Sequence, residues 1–153
     1  VDRATFKATA ATERLMTAQD VLDILKSGAI QIVDARSEAE FCGIDKQKNK
    51  VGGAIPGAKH LEWDDLIDSK TDRFKDADEL RRLFAEAKIE LDRPAVSHCQ
   101  SGGRASVMAF ALELMGVRDV RNYYRGWSEW GNEEGLPVMV PEEQKRKAED
   151  TAE

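Results

Sequence analysis

Apolar positions along the chain change period several times, and the changes mark alternating helices and strands. Val21, Leu22 and Leu25 recur at helical spacing across residues 18–26, Thr17 stands where an N-cap belongs, and Gly28 ends the run. Residues 29–35 are almost continuously apolar, the pattern of a strand covered on both faces. Ser37 then offers a cap for a short helix through Phe41. Residues 42–53 carry no period and are polar and rich in lysine. A turn at 54–58 leads to a short strand at 59–61 and a helical turn at 63–67. Residues 74–87 make an amphipathic helix with Leu80, Leu83, Phe84 and Ala87 inward and Asp76 or Asp78 near its start. Pro94 precedes a second apolar run ending at Cys99, and Met108, Ala109, Leu112 and Met115 mark the next helix, closed by Gly116. A strand at 120–123 and a tryptophan-rich turn or short helix at 126–131 follow.

Strands alternating with helices predict an α/β fold with a parallel sheet covered on both sides. Functional residues in such folds gather beyond the carboxyl ends of the strands, where Arg36 and Cys99 both fall. Residues 15–140 read as one domain, preceded by an arm at 1–14, in which 5–9 suggests a short edge strand. A strongly charged tail at 141–153 follows.

Composition narrows the function classes. The chain is 41% hydrophobic and 34% charged, as ordinary globular domains are. A net charge of −6, without a basic cluster interleaved with aromatics, argues against a nucleic-acid partner. No apolar run approaches the ~20 residues of a membrane span. There is no signal-peptide pattern, and two cysteines make no disulfide scaffold, so a cytoplasmic setting is expected. The chain begins at Val1 rather than Met, and an upstream portion is therefore expected. His60 has no partners at metal-ligand spacing, so no metal site is expected.

The chemistry concentrates in Val96-Ser97-His98-Cys99-Gln100-Ser101-Gly102-Gly103-Arg104-Ala105, read as strand, loop, helix. Cys99 then sits at a strand end and a helix start, where up to five loop N–H groups can converge on its sulfur. The positive end of the helix favours an anion, so the thiol is expected to ionise more readily than a free cysteine of pKa ~8.5. A buried structural cysteine beside an ordinary turn is the plainer alternative. Arg104 adds a fixed cation, and Arg36 offers a second, unless Arg36 pairs with a structural carboxylate such as Glu40. Cysteine-dependent phosphatases space cysteine and arginine as C-x5-R. Here the spacing is C-x4-R, shorter by up to ~3.5 Å of contour, which suits one sulfur atom better than a phosphate. His98 should face the opposite side of the sheet from Cys99 as a packed residue. Trp63, Trp127 and Trp130 read as core and pocket wall. Cys42 is a candidate for disulfide formation or sulfur exchange with Cys99, or a small half-buried residue.

Several pieces together resemble the rhodanese family of sulfurtransferase domains across roughly residues 15–138. They are Ile32-Val33-Asp34-Ala35-Arg36, Glu40-Phe41, Gly53-Ala54-Ile55-Pro56-Gly57-Ala58, the Cys99 loop, and Asn122-Tyr123 with Gly126-Trp127-Ser128-Glu129-Trp130. The last stretch is similar to the catalytic carboxyl-terminal half of two-domain thiosulfate and 3-mercaptopyruvate sulfurtransferases. The resemblance implies a five-stranded parallel sheet and a Cys99 persulfide that passes sulfur from a small anionic donor to a thiophilic acceptor, with no cofactor. It implies that Gln100, Ser101, Gly102, Gly103 and Arg104 form a cradle, that Arg36 helps hold the donor, and that Asp34 braces the loop. It also implies an N-terminal rhodanese-like domain as a partner, with neither nucleic acid nor membrane involved. Three positions depart from the family pattern. Ala54 replaces a histidine. Ser101 replaces the lysine of animal thiosulfate-using enzymes. Cys42 occupies the place of a second arginine found in mercaptopyruvate-using relatives. Thiosulfate is the preferred donor and mercaptopyruvate the alternative. A non-catalytic persulfide carrier, and a phosphatase or arsenate reductase, are the other classes.

Overall fold

A computed structural model describes Thr5, Lys7 and residues 11–141. Most of the edge strand expected at 5–9, and residues 142–153 of the charged tail, lie outside the described residues. The main sheet holds four parallel strands, β1 (Gln31–Asp34), β2 (Lys59–His60), β5 (Ala95–His98) and β6 (Val120–Tyr123), in the order β2-β1-β5-β6. A separate antiparallel pair, β3 (Ile67–Asp68) and β4 (Arg73–Phe74), lies between them in the chain.

The resemblance implies five strands and the described residues show four in this sheet, with one added bridge in which Leu15 runs parallel to Asn122 and the Met16 N–H donates to the Asn122 carbonyl at 3.0 Å. Thr12–Arg14 form a 3-10 turn just before the bridge, and Thr17 begins helix α1 (Ala18–Ser27) just after it. Thr17 and Asp20 cap each other reciprocally, which commits the backbone to helix before a second ladder rung can form. A cap also corrects the helix expected at 74–87. Asp76 takes the Glu79 N–H at 2.9 Å, so α3 spans Ala77–Glu86, and Phe74 pairs with Ile67 instead.

Alternation along β1 and β5 sends side chains to two cores. Val33, Ala35, Ala95 and Cys99 pack with Leu80 and Phe84 of α3 and with Met108 and Leu112 of α4 (Gly103–Leu114). Ile32 and Val96 pack on the other face with Val21 and Ile24 of α1 and with Trp127 and Trp130 of α5 (Gly126–Trp130). Helices therefore cover both faces, as expected. Helix α2 (Glu38–Phe41) follows β1 under a second reciprocal cap between Ser37 and Glu40. Among the described residues no helix is long and apolar enough to cross a membrane.

Candidate active site

β5 lies between β1 and β6 and pairs with each over four residues, so Cys99 follows directly on an interior strand held from both sides. The first turn of α4 is tied back to this strand by the Ser97 hydroxyl, which donates to the Ala105 carbonyl at 2.9 Å. Between them the chain turns through Gly102 at φ +86°, in the left-handed region that glycine tolerates. The Gly102 N–H donates to Cys99 Sγ at 3.1 Å. A Cβ on Gly102 would collide with the Tyr124 ring. Of the convergent donors expected, this is the one within hydrogen-bond reach of the sulfur among the described residues. Cys99 is only 1% exposed, at the floor of the loop.

The amino end of α5 closes the loop from outside. Trp127 and Ser128 donate their N–H groups to the carbonyls of Cys99 and Gln100 at 2.8 and 2.9 Å. Gly126, at φ +51°, passes so close to the Cys99 carbonyl that no side chain fits there. The Gln100 side chain exchanges two 3.1 Å hydrogen bonds with Asn49 of the polar excursion. Asn132 also donates to Asn49, at 2.8 Å. Ser101 and Gly103 are exposed at the loop surface.

Both arginines singled out from the sequence are held by carboxylates. Arg104 reaches Glu40 with two hydrogen bonds, at 2.6 and 2.8 Å. That pairing raises the Arg104 pKa, burial opposes it, and the nearby Cys99 contributes to the rise. Burial pushes the Glu40 carboxyl up, but Arg104 and Ser37 outweigh it and hold the group below its ordinary value. Arg36 is 1% exposed and grips Asp34 through Nε and Nη2, the latter at 2.6 Å. Nη2 also donates to the Gly53 carbonyl at 2.7 Å, and the guanidinium lies 4.3 Å from the centre of the Trp127 ring. Glu40 is thus the partner of Arg104, and Asp34 that of Arg36. Asp34 takes its hydrogen bonds from Arg36, and among the described residues it makes none to residues 100–104.

His98 faces away from Cys99 and is fully buried, with Nε2 3.4 Å from Asp34 Oδ2 and neither ring nitrogen hydrogen-bonded. Burial pushes its pKa down, against the pull of Asp34. Burial pushes the Asp34 carboxyl up, yet His98 and the Arg36 hydrogen bonds hold it below its ordinary value. Cys42 and Cys99 are both buried thiols, with no disulfide between them. Sequence reasoning missed Asn49, Asn132 and Tyr124 as neighbours of the loop. The alternative weighed for Arg36, a structural carboxylate, is met by Asp34 rather than by Glu40, which the S-x-x-E cap at Ser37 anchors toward Arg104.

The family model of the rhodanese-like domain matches residues 17–133, the stretch that holds the strand-end cysteine, its five-residue loop and the capped DxR strand end. The chain belongs to the rhodanese-like family. This rhodanese-like domain is 40% identical over 116 residues to a putative thiosulfate sulfurtransferase of Haloferax volcanii, covering 71% of the chain and 40% of that protein. It is 35% identical over 141 residues to the thiosulfate sulfurtransferase of Corynebacterium glutamicum, covering 87% and 46%. It is 34% identical over 135 residues to the 3-mercaptopyruvate sulfurtransferase of Escherichia coli K12, covering 87% and 47%. The chain thus spans about half, or less, of these relatives' length. Among solved structures, EanB carrying a cysteine persulfide in a tetrahedral intermediate state with ergothioneine aligns with a TM-score of 0.76 at 25% identity. That alignment covers 84% of this rhodanese-like domain and 32% of EanB. Where the domain departs from its family at Ala54, the side chain is fully buried, and its backbone pairs in both directions with Met139. Among the described residues there is no cluster of three or more potential metal ligands.

Proposed function

We propose that this chain is the cysteine-bearing domain of a sulfurtransferase that moves the sulfane sulfur of thiosulfate to a thiophilic acceptor such as cyanide or a thiol. The Cys99 thiolate attacks the outer sulfur of thiosulfate. The donor S–S bond breaks, sulfite leaves with the bonding electrons, and Cys99 is left as a persulfide. The acceptor's lone pair then attacks the outer sulfur, the persulfide bond breaks, and the thiolate returns. Sulfur is handed on without an outside oxidant, reductant or cofactor.

One observation carries this reading, the Gly102 N–H aimed at Cys99 Sγ at 3.1 Å from a loop of C-x4-R length. A backbone donor there favours negative charge on Cys99 Sγ. In this proposal Gln100, Ser101 and Gly103 complete the loop, and Arg104 fixes a cation at its far end. The Asp34–Arg36 pair stiffens the neighbouring strand end, which puts Arg36 in a supporting position rather than on the donor. The names of the Haloferax and Corynebacterium relatives support thiosulfate, and that of the Escherichia relative supports mercaptopyruvate as the second donor. Relatives about twice as long support a preceding N-terminal rhodanese-like domain in the whole protein. We place the domain at residues 15–140, in the cytoplasm, where a reusable thiol stays reduced.

Incubation with thiosulfate should add about 32 Da, one sulfur atom, at Cys99, and cyanide should then release it as thiocyanate. The Cys99→Ser variant should do neither. Undiminished thiocyanate production by that variant overturns the proposal. Loading without turnover selects the carrier alternative, and hydrolysis of p-nitrophenyl phosphate the phosphatase.

A further inference from the structure

The carboxylates around Cys99 leave little free positive charge for an anionic substrate. Arg36 is enclosed by Asp34, the Gly53 carbonyl and Trp127, and Arg104 is held by both oxygens of Glu40. Gln100 is occupied by Asn49. On the outer side of the same loop lies an open recess of about 590 Å³ lined by Ser101, Tyr124, Arg125 and Ser128. Its Tyr124 wall presses against Gly102, the residue whose N–H meets the sulfur. Arg125 engages Glu129 through Nε at 3.1 Å, and its side chain is 73% exposed. Tyr123 donates its hydroxyl to the other Glu129 oxygen at 2.8 Å, which fixes the carboxylate and hence the foot of the Arg125 side chain. The Ser128 hydroxyl donates to the Arg125 carbonyl at 2.6 Å, tightening the same turn. Lys46, Lys48 and Lys50 line no part of this recess.

We infer that the Ser101–Tyr124–Arg125–Ser128 recess binds the oxyanion end of the small molecule that exchanges sulfur with Cys99, and that Arg125 sets the preference for anions. This rests on the sulfurtransferase reading and adds the subsite that the buried Arg36 does not supply. Guanidinium Nη groups offer paired donors to a sulfonate, sulfite or carboxylate, and Ser101 lines the same recess. The ligand is either the donor or an anionic acceptor.

Binding is read without turnover by titrating thiosulfate and sulfite into the Cys99→Ser protein by calorimetry. Adding Arg125→Gln should weaken both about 3- to 10-fold, the range for one exposed charge-assisted contact, and Arg125→Lys should recover part of the loss. Arg125 is exposed, so folding is checked by an unchanged melting profile. Equal dissociation constants with and without Arg125 overturn the inference. So does a loss seen only when Lys46, Lys48 and Lys50 are changed together to Gln. In the Cys99-bearing protein, steady-state kinetics separate the sources. A raised KM for thiosulfate assigns the recess to the donor, and a raised KM for 3-mercaptopropionate, but not for cyanide, assigns it to the acceptor. Failure of the wild type to gain sulfur sinks the sulfurtransferase reading instead, and the binding titration still decides the recess.

Discussion

Replacing Glu40 with Gln keeps the shape of the site but removes the charge that positions Arg104. The Glu40 side chain is 3% exposed and that of Arg104 29%, with contacts of 2.6 and 2.8 Å. Breaking a fully buried pair costs about 3–5 kcal/mol. Here one partner reaches solvent and glutamine retains an acceptor, so about 1–2 kcal/mol is expected at neutral pH. For a chain of this size that lowers Tm by roughly 2–8 °C. The pH dependence supplies the sharper test. The Glu40 carboxyl sits below its ordinary value in the folded chain. Its contribution is therefore complete above the unfolded value of about 4.3 and is lost as pH falls through the lower folded value. Calorimetric melts should show wild type and Glu40→Gln well separated at neutral pH and converging in acid. A gap that is absent at neutral pH, or persists undiminished after acidification, refutes the assignment of Glu40 as the ionised anchor of Arg104.

Gly126→Ala places a methyl group against the Cys99 carbonyl in a left-handed backbone, and urea unfolding should show a loss of about 2–4 kcal/mol. Asp34→Asn leaves the Arg36 guanidinium buried with half its acceptor, and the same measurement should read about 3 kcal/mol or more. Asn49→Ala frees the Gln100 amide, so hydrogen exchange at residues 100–103 should quicken while the sheet amides keep their protection.

The Ile32-Val33 and Val96 runs, the Thr17 and Asp76 caps and the Gly28 stop were legible because each is decided by neighbours within one helical turn or one strand. The C-x4-R loop was legible for the same reason. Its pairings were not. Glu40 and Arg104 are 64 positions apart, and Gln100 and Asn49 are 51 apart, so only the strand order β2-β1-β5-β6 brings them together. The Asp34–Arg36 pair is local, yet the pattern DxR alone does not say that the guanidinium turns back onto its own carboxylate. The strand suggested at 5–9 lies mostly outside the described residues, and after it the Thr17–Asp20 capping box turns the chain into helix directly behind Met16.

β5 is hydrogen-bonded on both flanks up to His98, one residue short of the nucleophile. Accepting a second sulfur lengthens the side chain by about 2 Å. In the proposed persulfide that length falls to the loop from Gln100 to Gly103, because the strand beneath it is held on both sides.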